Sequence, residues 1–319
     1  MTVHSSSGLL ERGLTRGKTP RVKSGRAYNY VLRGVALLFA AVLALFVWSV
    51  VHQSWPAWST YGFSIITGND WSPSIDHFGA LALILATLIT TGVALFFAVP
   101  IGIGTALTLN FIVPRRLAGP LTTIVELLAA VPSVVYGLWG LNVIVPWMSA
   151  TVQPWLASLT NNGWPFSGNA IGLGIATASM VLSVMVLPTI VAISRDVIAT
   201  VPRDLIEGAL SLGATRSQVL TRVVLPNAKV GLLGAVSLGA GRALGETIAV
   251  AMVIGSSPSM PQSLFSLGST LASTIATQYI DSAPMHMAAL GALAVILMVM
   301  TASVNAFARA LVNRGSKGA

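Results

Sequence analysis

The sequence predicts an all-α, polytopic membrane protein with six transmembrane helices and both termini on the cytoplasmic side. Three observations carry this expectation. Of 319 residues, 54% are hydrophobic and only 8% are charged, against about a quarter charged in a soluble domain. With a mean hydropathy of +0.80, most of the chain does not face water, which leaves a bilayer as its solvent. The apolar residues gather in six runs, each long enough for the roughly 20 helical residues that a bilayer core requires. Lys and Arg fall on alternate connections, as cytoplasmic loops demand.

The expected spans are Val31–Val51, Phe78–Leu109, Leu121–Trp147, Ala170–Ser194, Gly231–Gly255 and Met285–Val312. Met1–Tyr30 is polar and basic and reads as a disordered tail. The apolar run Gly34–Val51 is longer than the core of a signal peptide, so the first span is expected to be retained as an anchor. The second span is overlong and contains Pro100, which predicts tilting, bending or projection beyond the bilayer. Continuous rather than alternating apolar runs exclude a β-barrel, and helices satisfy their own backbone where water is absent. The expected layout is a tail over 1–30, a first span with an outer loop over 31–78, a core over 79–314 and a short tail over 315–319. Within the core, 196–230 is a cytoplasmic connection.

Seventeen of the eighteen Lys and Arg lie in the N-terminal tail and first helix entry, the second-to-third connection, the fourth-to-fifth connection and the C-terminal end. The eighteenth, Arg242, lies inside a span, and the three opposite loops hold none. An odd number of spans would place the C-terminal basic cluster outside. The net charge of +9 thus follows topology and points to membrane lipid rather than nucleic acid. The outer loops carry Trp55, Trp58, Tyr61, Trp71, Trp155, Trp164 and Tyr279, which read as interfacial anchors or as a docking surface for a soluble partner. There is no cysteine, and the four histidines lack ligand spacing; no metal or other cofactor is expected.

The fourth-to-fifth connection is patterned more regularly than a linker. Pro202 suits a helix start, and Asp204 and Glu207 follow where the helix dipole favours acids. Leu205, Ala209 and Leu212 recur at helical spacing, and Gly213 is a natural stop. Thr215 and Gln218 have capping-box spacing and start a second short helix, expected to end at Pro226. Two short helices held against the membrane would form a projecting knob whose apolar positions need a partner groove.

This stretch, EGALSLGATRSQVLTRVVLP, resembles the signature loop of ABC-importer permeases. The matching positions are Glu207, Gly208, Ala209, Gly213, Val223, Leu225 and Pro226; Gly208 stands for Ala and Val223 for Ile. Glycine at 208 loosens the short helix by roughly 1 kcal/mol without changing its register. The resemblance implies the type I importer permease fold, with this loop as the coupling helix seated in a cleft of a cytoplasmic ATPase. The chain itself has no nucleotide site. Gly13–Thr19 resembles a phosphate-binding loop but has three residues between its glycines instead of four and no preceding strand. The chain is therefore expected to be non-enzymatic, with ATP hydrolysis on a separate polypeptide.

Glu126, Arg242 and Glu246 are expected within spans, where a charge at the bilayer centre costs about 3 kcal/mol on insertion scales. Arg242 and Glu246 are four residues apart, so on a continuous helix they share a face and can pair. A guanidinium stays protonated and offers a fork of donors to an oxyanion, and pairing with Glu246 moderates its grip. Gly241 and Gly245 have small-residue spacing for close helix contact. In the third span Pro132 removes a helix hydrogen bond, and Ser133 and Tyr136 offer polar groups beside it, either to repair the kink or to line a path.

ELLAAVPSVVYGLWG and GRALGETIAVAMVIG are similar to segments of phosphate-specific permeases of the PstC type, and the resemblance covers about Gly79 to Arg314. It implies a second homologous permease subunit (PstA-type), two cytoplasmic ATPase subunits and an extracytoplasmic phosphate-binding protein, all at a bacterial plasma membrane. It also implies roles in transport for Arg242 and Glu246. Left open are an ABC permease for sulfate, molybdate or an amino acid, and a secondary transporter. A secondary transporter would be expected to show inverted repeats or broken helices in both halves. A membrane-embedded enzyme is disfavoured because no carboxylate pair or histidine cluster lies close in sequence.

Overall fold

The computed structural model describes residues 25–280 and 282–316, so the expected tail up to Ser24 lies outside the described residues. The helices are α1 (Gly25–Tyr61), α2 (Ser64–Thr67), α3 (Leu81–Phe111), α4 (Arg115–Ala130), α5 (Ser133–Leu159) and α6 (Ile175–Ala199). They continue as α7 (Arg203–Ser211), α8 (Arg216–Leu244), α9 (Ile248–Ile254), α10 (Leu271–Gln278) and α11 (Pro284–Ser316). Among the described residues six of these, α1, α3, α5, α6, α8 and α11, are long and apolar enough to cross a membrane. A two-residue antiparallel ladder, β1 (Trp71–Ser72) with β2 (His77–Phe78), pairs Trp71 with Phe78 and is the one addition to an all-helical plan among those residues.

Two compact units are distinguished, Met1–Ser49 and Val50–Ala319. In the first, α1 starts at Gly25, six residues before the expected Val31, and its side chains from Tyr28 to Ser49 are exposed. An exposed apolar helix face is what lipid or another subunit covers. The second unit holds the core.

Two of the expected spans are corrected, both by backbone chemistry. The third span does not begin at Leu121. Val131 and Pro132 are extended (ψ 131° and 139°), so α4 ends at Ala130 and the span starts afresh at Ser133. A proline disfavours helical geometry in the residue before it and supplies no N–H, and here the result is a full break rather than a kink. The fifth span is not continuous to Gly255: α8 stops at Leu244, Gly245–Thr247 leave the helix, and α9 resumes at Ile248.

Pro226, expected to end a short helix, lies inside α8 instead. A π turn over Leu220–Val224 precedes it, and π turns over Gly140–Ile144 and Met148–Val152 precede Pro146 and Pro154 of α5 in the same way. A wider turn moves the preceding carbonyl that the proline ring would strike and leaves no N–H owed to it.

The core is built around α6, 61% of whose apolar window is buried. Against it α3 sets small residues every fourth position, Ala82, Ala86, Thr90, Ala94, Ala98, Gly102 and Ala106, all buried. Small side chains let backbones approach closely, which lipid-embedded helices need because burial away from water gives them no driving force. Ile190 of α6 shows how tight this is: a Cβ on Gly102 of α3 or on Gly239 of α8 would come 2.8 Å from one of its side-chain carbons. A second cluster joins Ala57 of α1, Ile65 of α2, Trp71, Phe78 and Leu83 to Ala288, Ala289 and Leu293 of α11. Trp71 is thus a core residue, 3% exposed and donating from Nε1 to Gln278 Oε1 at 2.9 Å, and not an interfacial anchor. Trp55, Trp155, Trp164 and Tyr279 are exposed as an anchor or docking role requires.

The loop entering α6 is pinned at Gly172. Its φ is +84°, its N–H donates to Gln153 Oε1 at 2.9 Å, and a Cβ there would lie 2.3 Å from the Val145 carbonyl oxygen. We expect Gly172→Ala to cost about 3 kcal/mol, a left-handed penalty plus overpacking. This is read as a lowered melting temperature of the purified chain in detergent. The control is Gly208→Ala: a Cβ there meets nothing within 4 Å, and alanine favours helix, so the melting temperature is unchanged or slightly raised.

Candidate functional site

The two helix breaks lie side by side. The first turns of α5 run parallel to α9: a Cβ on Gly137 would sit 3.0 Å from the Ala249 Cα and 2.7 Å from the Met252 sulfur, and one on Gly140 3.2 Å from Val253. Advancing three residues on α5 advances the contact on α9, so both breaks fall at the same end of this pair.

Glycine, glutamate and threonine after Leu244 supply stop and start signals in succession. The N–H of Gly245 donates to Gly241 O and that of Glu246 to Ala243 O, both at 3.3 Å, closing α8. The Glu246 carboxylate then accepts the Ala249 N–H at 3.3 Å, over the first turn of α9. Arg242 stands in the last turn of α8, half-buried, and its Nη1 donates to Thr189 Oγ1 of α6 at 3.1 Å. Among the described residues no ion pair joins Arg242 to Glu246. The expected pairing needed a continuous helix; once the chain leaves the helix at Gly245, residues four apart no longer share a face. Each charge instead meets the helix end of opposite partial charge, cation at the α8 C-terminus and anion at the α9 N-terminus. Among the described residues one of its donors is used, toward Thr189, and a guanidinium has five, so Arg242 has donors to spare.

At the neighbouring break the Tyr136 hydroxyl donates to Leu128 O of α4 at 2.8 Å. Tyr136 is buried and takes up a carbonyl that the break at Val131–Pro132 frees. Ser133 is half-buried at the first position of α5. Glu126 lies on α4, before the break and not on the same helix as Ser133 and Tyr136, and its carboxylate is 3.5 Å from Arg195 Nη1 near the end of α6. A long, partly exposed ion pair of this kind contributes little to stability.

The connection from α6 to α8 forms an elbow with two faces. Pro202 caps α7 at the expected position, Gly213 turns the chain at φ +84°, and Thr215 and Gln218 form the expected capping box. The Thr215 N–H donates to Gln218 Oε1 at 2.9 Å, and Thr215 Oγ1 accepts the Gln218 N–H at 3.3 Å. The inner face, Ile206, Ala209, Val219, Val224 and Leu225, packs on Ala106 and Ile198 near the ends of α3 and α6 and on Leu232 farther along α8. The outer face presents Glu207 and Gly208 with Leu205 and Leu212, the last 91% exposed. Pro226 follows the π turn where the elbow becomes the fifth span. A rigid base under exposed leucines is suited to binding a partner.

Thr189, the Arg242 partner, was not legible in the sequence, because nothing at one position announces a contact 53 residues away. The Gly245–Thr247 break had a signal: Gly followed by Thr marks a helix stop and a new start.

The family profile of the binding-protein-dependent transport system inner membrane component matches residues 98–317. The phosphate transport system permease protein PstC of Pasteurella multocida is 42% identical over 287 residues, 89% of this chain and 88% of that protein. The PstC of Mesorhizobium japonicum is 41% identical over 293 residues, 90% of this chain and 89% of that protein. Among solved structures, a chain of a bacterial alginate ABC transporter in complex with its pentasaccharide-bound periplasmic protein superposes with a TM-score of 0.59. It is 19% identical and covers 90% of this chain and 96% of that one, a likeness of fold. Broken helices in both halves therefore do not mark a secondary transporter here; the chain is a multi-pass membrane protein that belongs to the family of binding-protein-dependent transport system inner membrane components, in its PstC-type group.

Proposed function

We propose that the chain is the permease subunit of an ATP-driven importer of inorganic phosphate, supplying half of the translocation pathway. The observation that carries this reading is Arg242, a half-buried cation with free donors at a helix break, in a chain 42% identical to a phosphate transport permease. A phosphate passing the break accepts hydrogen bonds through its oxygens from the guanidinium in place of water, and the contact is weak enough to leave because Thr189 and the helix end compete for the same donors. Ser133 and Tyr136 border the path on α5, Glu246 sets the local charge, and Glu126 lies toward the elbow end. The chain performs no catalysis itself.

The elbow faces the cytoplasm in this reading, with both termini on the same side, as the Lys and Arg distribution supports. Glu207, Gly208, Ala209, Gly213, Leu225 and Pro226 form the coupling element against one of two ATPase subunits. A PstA-type permease supplies the other half of the path, and an extracytoplasmic phosphate-binding protein delivers the anion. The test is uptake of labelled phosphate by vesicles carrying the chain with the products of its neighbouring genes. Uptake that a hundredfold excess of sulfate leaves in place is expected. Uptake of sulfate in preference to phosphate would overturn the substrate, and uptake at full rate without the ATPase would overturn the energy source.

A further inference from the structure

We propose that Glu126 and Arg195 are positioning residues that clamp α4 to α6 and carry the movement of the elbow to the break at Pro132. This rests on the importer reading above.

The placement is the argument. Arg195 lies one turn before the end of α6, and α6 leads through Thr200–Pro202 directly into α7. It is held on its own side: its carbonyl accepts from Asn110 Nδ2 of α3 at 3.2 Å, and its Nη2 donates to Asp196 Oδ1 at 2.6 Å. Whatever tilts α7 against its base moves Arg195 with it. Across the gap Glu126 sits one turn before the end of α4, and its contact with Arg195 is a single ion pair of 3.5 Å. The C-terminal turn of α4 is tied in turn to α5 by the Tyr136–Leu128 hydrogen bond over two extended residues. The chain of contacts therefore runs from elbow to α6, from α6 to α4, and from α4 to the break beside Arg242.

The packing around α4 fits an element with two positions. The space under the ion pair, bounded by Leu109, Thr122 and Val191, has no room for a water molecule. The other side of α4 is loose: a groove of about 500 Å³ separates Leu121 and Ile124 from Gly104 and Thr108 of α3. A half-exposed ion pair opens at small cost, which disqualifies it as a source of stability and suits it to a step that must reverse in every cycle. A physical route of this kind is established only by showing that both ends respond to the same element.

The experiment uses the complete assembly of both permeases and the ATPases in proteoliposomes, with binding protein, and measures phosphate taken up per ATP hydrolysed. We expect Glu126→Gln and Arg195→Gln each to lower that ratio at least fivefold, and the charge exchange Glu126→Arg with Arg195→Glu to restore at least half of it. Single variants with a wild-type ratio would overturn the clamp. An exchange no better than the singles would also overturn it, because the two residues would then act separately. Should a single variant fail to assemble, a locking arm decides. The chain contains no cysteine, so Glu126→Cys with Arg195→Cys joined by a short bismaleimide is expected to stop uptake, whereas either cysteine alone with the reagent does not. Uptake that continues with the two helices joined overturns the clamp. A wild-type assembly that moves no phosphate would instead refute the importer reading, so the two failures are distinct.

Discussion

Arg242→Gln abolishes phosphate uptake while the chain still reaches the membrane in normal amount. The reasoning starts from what the guanidinium offers. It stands half-buried in the last turn of α8, beside the break at Gly245, and one of its five donors is directed to Thr189. Glutamine at 242 preserves a hydrogen bond to Thr189 and helix propensity, so the fold is kept. What is lost is the permanent charge and the forked geometry. Two charge-assisted hydrogen bonds at about 1.5–3 kcal/mol each put the loss at roughly 100-fold or more. Arg242→Lys separates charge from geometry. It keeps a cation but has a point charge instead of a fork, so uptake falls between wild type and Gln. Uptake close to wild type in the Gln variant, at equal membrane abundance, would remove Arg242 from the path.

Leu212→Asp, combined with Leu205→Asp, releases the ATPase. Both leucines are exposed on the elbow, Leu212 at 91%, so the chain itself loses no packing when they change. In a partner cleft the cost is the truncated contact plus a carboxylate that must be desolvated. Interface hot spots reach 2 kcal/mol or more each, and two such losses reduce affinity by at least about 100-fold. The measurement is co-purification of the ATPase with a tagged chain from solubilised membranes. The wild type retains it and the double variant does not. The inner-face residues Val219 and Val224 form a contrast, since they are buried in the base of the elbow and their substitution lowers the stability of the chain as well. Retention of the ATPase by the leucine double variant would mean that the elbow binds elsewhere.

The six spans were legible because lipid imposes a simple rule, a long apolar run for each crossing. The elbow was legible because its start and turn depend on local chemistry: Pro202, Gly213 and the Thr215–Gln218 box each act within a few residues. What escaped were features set by context. Pro226 looks like a terminator on its own, and only the π turn before it shows how α8 continues. Gly245, with Gly241, was read as a small residue for close packing, yet the helix opens at Gly245–Thr247, and that opening separates Arg242 from Glu246. The same error of continuity placed Glu126 on one helix with Ser133 and Tyr136, because the run from Leu121 to Trp147 is apolar on both sides of Pro132. Trp71 read as an anchor from its loop position, whereas its burial depends on Phe78, His286 and Gln278, far apart in sequence. Sequence patterns resolve local rules well and pairings across the fold poorly.

The account depends most on the side of the membrane to which the elbow projects. Because the chain has no cysteine, Ser211→Cys places a single thiol on the exposed end of α7. A membrane-impermeant maleimide is predicted to label it in inside-out vesicles and to leave it unlabelled in intact cells. Labelling of intact cells would put the elbow beyond the reach of any cytoplasmic ATPase and contradict the account.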